Sequence, residues 1–235
     1  GSVGDVAVAP SNPNVVYVGS GEGIQRPDLS IGNGLYKSSD AGKTWTNMGL
    51  HDAQQIGGIS VDPNNENRIF VAALGHPYGP NKERGVYRSM DGGKTLEQVL
   101  YIDENTGAVQ VTIDPNNSQI VFATLWAARQ GPWENGAFNG PASGLYKSID
   151  GGKNWRKITS GFPTTTEDRL GRIGFTIAPS NSKRMYATVD SEKKGGIYRS
   201  DDAGENWYLL TSDARFWGRG SDFAEVKCDP KNEDI

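Results

Sequence analysis

Four aspartates recur in one local setting. Asp40, Asp91, Asp150 and Asp202 each follow a serine by two positions and precede a glycine by two. A carboxylate beside Gly could ligate a metal. It could equally accept N–H bonds from the next few residues and close a turn. The Asp-x-Gly spacing lacks the further acidic residues a calcium loop needs for its six to eight oxygens, so these four read as structural. A second set carries the chemistry of ligand contact: Glu22, Arg26, His76, Arg84, Glu104, Arg129, Trp133, Glu134, Arg172 and Trp217. Carboxylates and guanidinium groups beside aromatic planes suit sugar hydroxyls and ring faces. The same types anchor protein partners. A glycosidase would need two carboxyl groups roughly 5–10 Å apart across a sugar, and nothing in the sequence pairs any two of these.

Several chemistries are excluded or weakened. One cysteine, Cys228, and two histidines, His51 and His76, leave no multi-cysteine zinc site or histidine-rich metal centre. No phosphate-cradling loop and no Gly-x-Ser-x-Gly nucleophile elbow occurs. No metal or cofactor is therefore expected. A net charge of −4 argues against duplex nucleic-acid binding. No apolar run reaches the ~18–20 residues of a membrane span.

The elements that position these residues follow from the repeat. The octapeptides Ser38–Trp45, Ser89–Leu96, Ser148–Trp155 and Ser200–Trp207 align without gaps, their aspartates 51, 59 and 52 residues apart. Out of phase with them run Ala9-Pro10, Asp62-Pro63, Asp114-Pro115, Ala178-Pro179 and Asp229-Pro230, each after an apolar segment. Each unit reads as four short strands: an apolar segment ended by an Asn-Pro-rich turn, a second strand, a variable loop, an alternating third strand, the octapeptide turn and a fourth strand. No sustained helical period appears. The 31 glycines and 12 prolines among 235 residues fall largely at these turns. Such repeats predict an all-β fold, a β-propeller of four-stranded antiparallel blades. The blades are expected near 3–50, 56–101, 108–162 and 172–212, with 222–235 as the first strand of a fifth. Blades contact only their neighbours, so an unclosed array leaves bare faces. The chain is thus expected to be a piece of a larger ring, covered by the remaining blades of a parent protein or by another copy. The Trp that closes three of the octapeptides is expected to pack back over the fourth strand. Gly1-Ser2 is left out of the fold argument.

The octapeptides resemble the Asp-box, or BNR, repeat Ser-x-Asp-x-Gly-x-Thr-Trp. It occurs in propellers of sialidases, xyloglucanases, sortilin-type receptors and photosystem assembly factors. Leu96 replaces its Trp, and Asn154 and Asn206 replace its Thr. The segments Gly19–Glu22, Ala73–His76, Ile102–Gly107 and Leu170–Gly174 resemble the sortilin-like, glycosyl-hydrolase-like propellers of large bacterial proteins. That resemblance implies a secreted, periplasmic or cell-surface location. Fold does not imply function. A sialidase would need an Arg-Ile-Pro motif that is missing here. A xyloglucanase would need aspartates from two facing propellers.

The short repeated turns lie at one end of the blades, and the long loops 21–33, 75–84 and 126–143 at the other. Function is usually carried on such loops. The reading from sequence is a non-catalytic recognition or scaffold propeller binding glycan or protein through its long-loop face. The alternative is part of a glycoside hydrolase using carboxylates on that face.

Overall fold

A computed structural model describes residues 1–24, 29–129, 138–164, 168–217 and 225–235. Sixteen strands form four antiparallel sheets, each of four strands in sequence order, and no helix occurs among the described residues. Blade 1 contains β1 (Val3–Val8), β2 (Val16–Ser20), β3 (Leu35–Ser38) and β4 (Thr46–Gly49). Blade 2 contains β5 (Ile56–Asp62), β6 (Asn65–Ala73), β7 (Gly85–Ser89) and β8 (Glu97–Leu100). Blade 3 contains β9 (Thr106–Asp114), β10 (Asn117–Ala127), β11 (Gly144–Ser148) and β12 (Arg156–Ile158). Blade 4 contains β13 (Leu170–Ile177), β14 (Met185–Ser191), β15 (Gly196–Ser200) and β16 (Tyr208–Thr211). Residues 225–229 form no strand. The expected first strand of a fifth blade has no second strand to pair with among the described residues.

Alternation along each strand gives every blade two apolar faces, and the core lies between blades. One cluster joins Tyr17 and Leu35 of blade 1 to Ile59, Val71 and Tyr87 of blade 2. Another joins Phe122 and Leu145 of blade 3 to Phe175, Ala187 and Tyr198 of blade 4. Cross-strand register explains the sharing: Ile59 pairs with Val71 and Val71 with Tyr87, so the three stand in a row on one face. At the centre the first strands converge closely. A Cβ on Gly57 would lie 2.4 Å from the Val109 carbonyl oxygen, so only glycine permits that approach.

The octapeptides fold alike. In each, the serine hydroxyl donates to the Asp Oδ1 at 2.8 Å and accepts from the N–H of the glycine two residues past the Asp. The same Oδ1 accepts from the N–H of Thr44, Thr95, Asn154 or Asn206 at 2.9 Å, and Oδ2 from that residue's side chain. Asn thus replaces Thr without loss of the donor. Both carboxylate oxygens are engaged by the turn. Trp45, Trp155 and Trp207 stand before the last strand rather than in it, and each Nε1 donates back to a glycine carbonyl of its own turn. Leu96 has no such donor.

The turn needs two consecutive left-handed residues: Gly92 and Gly93 (φ +74° and +92°), Gly151 and Gly152 (φ +73° and +81°). In blades 1 and 4 the first of them is Ala41 or Ala203, each at φ +59°. A left-handed Ala costs about 1 kcal/mol. Ala41→Gly is therefore expected to stabilise the protein by up to about 1 kcal/mol, less the flexibility glycine gives the unfolded chain, measured as an upward shift in the urea midpoint.

Hydrogen bonds also hold the four carboxyls below their ordinary range. Asp40, bonded by Thr44 and Ser38, and Asp91, bonded by Thr95 and Ser89, are each held at about 2. Asp150 is lowered chiefly by Asn154. At Asp202 burial pushes upward, but Asn206 and Ser200 outweigh it. Lowered folded-state pKa values stabilise the fold fully above the ordinary carboxyl value of 3.8. That contribution is lost as pH falls from about 4 toward 2. Thermal melting across this interval should show the midpoint falling steadily, and Asp91→Asn should flatten the fall.

Candidate functional site

The inner strands β1, β5, β9 and β13 surround a central cavity of about 510 Å³, with residues 225–227 along its remaining side. Glu22 and Arg172 line it, with Ser2, Gln110, Thr112 and Asp5. Asp5 was not singled out in the sequence, although it sits at a revealing register. Counted from the turn ending each first strand, Asp5, Gly58, Gln110 and Gly174 are equivalent. Asp5 Oδ2 accepts the Ile59 N–H at 2.6 Å. Gln110 brackets the equivalent Phe175, donating to its carbonyl at 2.8 Å and accepting its N–H at 3.1 Å. Both side chains thus stitch one inner strand to the next. Burial raises the Asp5 carboxyl, opposed by the N–H groups of Ile59 and Val6.

Glu22 orders the loop that carries it. Its carboxylate accepts from Ser2 Oγ at 3.1 Å and Ser30 N at 3.3 Å. Its N–H donates to the buried Gln55 side chain, whose amide donates to Ser30 O at 3.1 Å. Gln55 is a pin for this loop, and its position just before an inner strand was the only sequence signal for it.

The remaining sequence-predicted residues scatter. Arg84 lies within the protein interior. It is fully buried, and donates to the carbonyls of Leu74 at 2.6 Å, His76 at 2.8 Å, Ala128 at 3.1 Å and Gly79 at 3.4 Å. Burial pushes its guanidinium down to about 10, so it stays cationic at neutral pH. It holds the blade 2 loop onto blade 3, and sequence could not separate this role from ligand contact. His76 contributes its carbonyl to that staple and is half-buried. Glu104 is half-buried, and its carbonyl receives the Asn81 N–H at 2.9 Å. Arg129 is half-buried near Arg84. Trp217 packs over Gly195, its indole donating to Ser212 O at 3.3 Å. Arg26, Trp133 and Glu134 lie outside the described residues. The structure therefore brings Glu22 and Arg172 together at the cavity and leaves His76, Arg84, Glu104, Arg129 and Trp217 off its lining. Among the described residues no three His, Cys, Asp or Glu side chains gather as a metal site.

Two sets of relatives share this architecture. In sequence, the chain is 26% identical over 227 residues to the xyloglucanase Xgh74A of Acetivibrio thermocellus, covering 83% of this chain and 25% of that protein. It is 26% identical over 221 residues to a xyloglucanase of Paenibacillus, covering 92% of this chain and 18% of that one. In structure, an ancestral GH74 enzyme superposes with a TM-score of 0.65 at 24% identity, covering 92% of this chain and 25% of that one. The fold is a β-propeller arc. YCF48 from Cyanidioschyzon merolae also superposes, with a TM-score of 0.52 at 15% identity, covering 90% of this chain and 57% of that one. The chain spans a quarter or less of the length of the two xyloglucanases it matches. No protein-family profile matches the sequence.

Replacing Arg84 tests the staple. Arg84→Met keeps most of the volume but strips four carbonyls of a donor. Leaving a buried acceptor unpaired costs about 1–3 kcal/mol, so denaturant unfolding should show a loss of about 3 kcal/mol or more. A loss below about 0.5 kcal/mol would contradict the staple.

Proposed function

We propose that this arc is a glycan-binding portion of a glycoside-hydrolase-type propeller acting on a xyloglucan-like β-glucan. The observation that carries the reading is that the chain aligns along 83–92% of its length with proteins named xyloglucanases. The cavity supports it chemically. Its wall combines Glu22 and Arg172 with Ser2, Gln110 and Thr112. Such a set of carboxylate, guanidinium, hydroxyl and amide groups can bond sugar hydroxyls. Export from the cytoplasm follows from a polysaccharide substrate. No helix among the described residues is long and apolar enough to cross a membrane.

A second reading is recognition without hydrolysis, as a glycan- or protein-binding module. One observation favours it. Asp5 and Glu22, carboxylates at the cavity, are both tied into the scaffold, by Ile59 and by Ser2 and Ser30. Hydrolysis needs two carboxyl groups flanking one sugar, one of them able to give up its proton, and the raised Asp5 carboxyl is held by the Ile59 N–H.

Affinity electrophoresis and reducing-sugar release on xyloglucan separate the two. Retardation by xyloglucan is expected, weakened about tenfold or more in Arg172→Met, because a hydrogen bond to a charged group is worth about 1.5–3 kcal/mol. A melting curve checks that the variant folds. Sugar release abolished by Glu22→Gln supports the hydrolytic reading. Binding without release supports the second. No retardation by any β-glucan sinks the proposal.

A further inference from the structure

Asparagine is a chemically labile residue, and Asn33 stands at the entry to β3, just before a glycine in the left-handed region (Gly34, φ +83°). Its side chain is exposed, and both ends of its amide are held. Nδ2 donates to the Tyr36 hydroxyl at 3.1 Å, and His51 Nδ1 lies 2.8 Å from Oδ1. An amide oxygen only accepts, so the second bond places the imidazole proton on Nδ1. Ser20 fixes the backbone here. Asn33 N donates to Ser20 Oγ at 2.7 Å, and the Gly34 carbonyl accepts from Ser20 N at 3.0 Å and Ser20 Oγ at 2.7 Å.

His51 reaches Asn33 through two consecutive left-handed residues, Gly49 at φ +105° and Leu50 at φ +59°. Leu50 is buried, so its side chain anchors the turn that its backbone is strained to make. Non-glycine residues held in that region gather at sites with a chemical role. Asn47 braces the turn, its Oδ1 accepting from Gly49 N and its Nδ2 donating to Asn33 O, both at 2.8 Å. Gly34 is itself obligatory, since a Cβ on it would lie 2.0 Å from the Gly49 carbonyl oxygen. A glycine there also leaves its nitrogen without the side chain that obstructs attack on a preceding amide.

We propose that Asn33 is a self-modification site, at which Gly34 N displaces ammonia from the side-chain amide and His51 assists. The Gly34 nitrogen bonds to Asn33 Cγ. The Cγ–Nδ2 bond breaks, and the Gly34 N–H proton leaves with the ammonia. The product is a cyclic imide. Water then opens either imide carbonyl, giving aspartate or isoaspartate. Negative charge develops on Oδ1 in the first step, where the His51 Nδ1–H already donates. Tyr36 holds the leaving nitrogen. Either product sets a carboxylate beside His51. Isoaspartate also lengthens the main chain by a methylene between Asn33 and Gly34. Ser20 bonds both residues, so the change reaches the end of β2, next to Glu22. The reaction needs no ligand and stands apart from glycan binding.

Asn139-Gly140 is an internal reference: Asn139 is also exposed, but the Gly140 N–H is donated to Leu170 O at 3.4 Å. Incubation of the full chain at mildly alkaline pH, followed by peptide mass analysis over time, tests the proposal. Asn33 is expected to convert faster than Asn139. His51→Ala, at an exposed position, should slow Asn33 about tenfold and leave Asn139 unchanged, a smaller effect than the roughly hundredfold of a buried oxyanion donor. His51→Asn keeps a donor near the place of Nδ1 and should restore most of the rate. Melting curves check that both variants fold. In urea the two sites should convert alike. An Asn33 that stays intact, or converts no faster than Asn139, overturns the proposal. So does a rate that His51→Ala leaves unchanged. A difference between the two sites that persists in urea belongs to local sequence and overturns it as well.

Discussion

One carbonyl per blade organises the molecule. It belongs to the residue after the octapeptide aspartate, which the turn holds in the left-handed region. Closing that turn engages both oxygens of the carboxylate. The closed turn then presents its carbonyl outward, where the lysine or arginine of the preceding blade donates to it. A cation desolvated against an aromatic ring, as Lys37 is over Tyr17 and Lys147 over Phe122, gains further from the ring face. The same short sequence thus closes a hairpin and sets the spacing of its neighbour.

From that spacing the centre follows. Blades fixed at their turn ends converge through their first strands, which must be small where they meet, as at Gly57. The wall of the cavity is then made by residues that face inward at a shared register. Asp5 and Gln110 use that position to bind the next inner strand. Polar groups at the cavity therefore serve the scaffold, Glu22 through Ser2 and Ser30 among them.

The same logic explains the structural bonds made by some candidate site residues. Long loops must tie down their own backbone carbonyls, and a buried guanidinium can satisfy several at once. Arg84 does this for four carbonyls, and Asp168 does the converse, accepting the N–H groups of Arg169, Lys193 and Lys194. An arginine that binds a ligand and one that staples a loop are the same letter in the sequence. Only the distance to carbonyls separates them.

The sequence by itself determined the blade pattern, because local hydrogen bonding imposes it. Ser, Asp and Gly at fixed offsets can close only one kind of turn, and alternating strands between such turns can only pair with their neighbours. It also carried, unread, the basic residue before each octapeptide serine. What the tertiary structure decided was everything that depends on one blade meeting another. The stitching of Asp5 to Ile59, 54 residues on, and the reach of Arg84 to Ala128, 44 residues on, arise from contacts between blades. Local chemistry is written residue by residue, whereas a neighbour's carbonyl or apolar row exists only once the blades are set side by side.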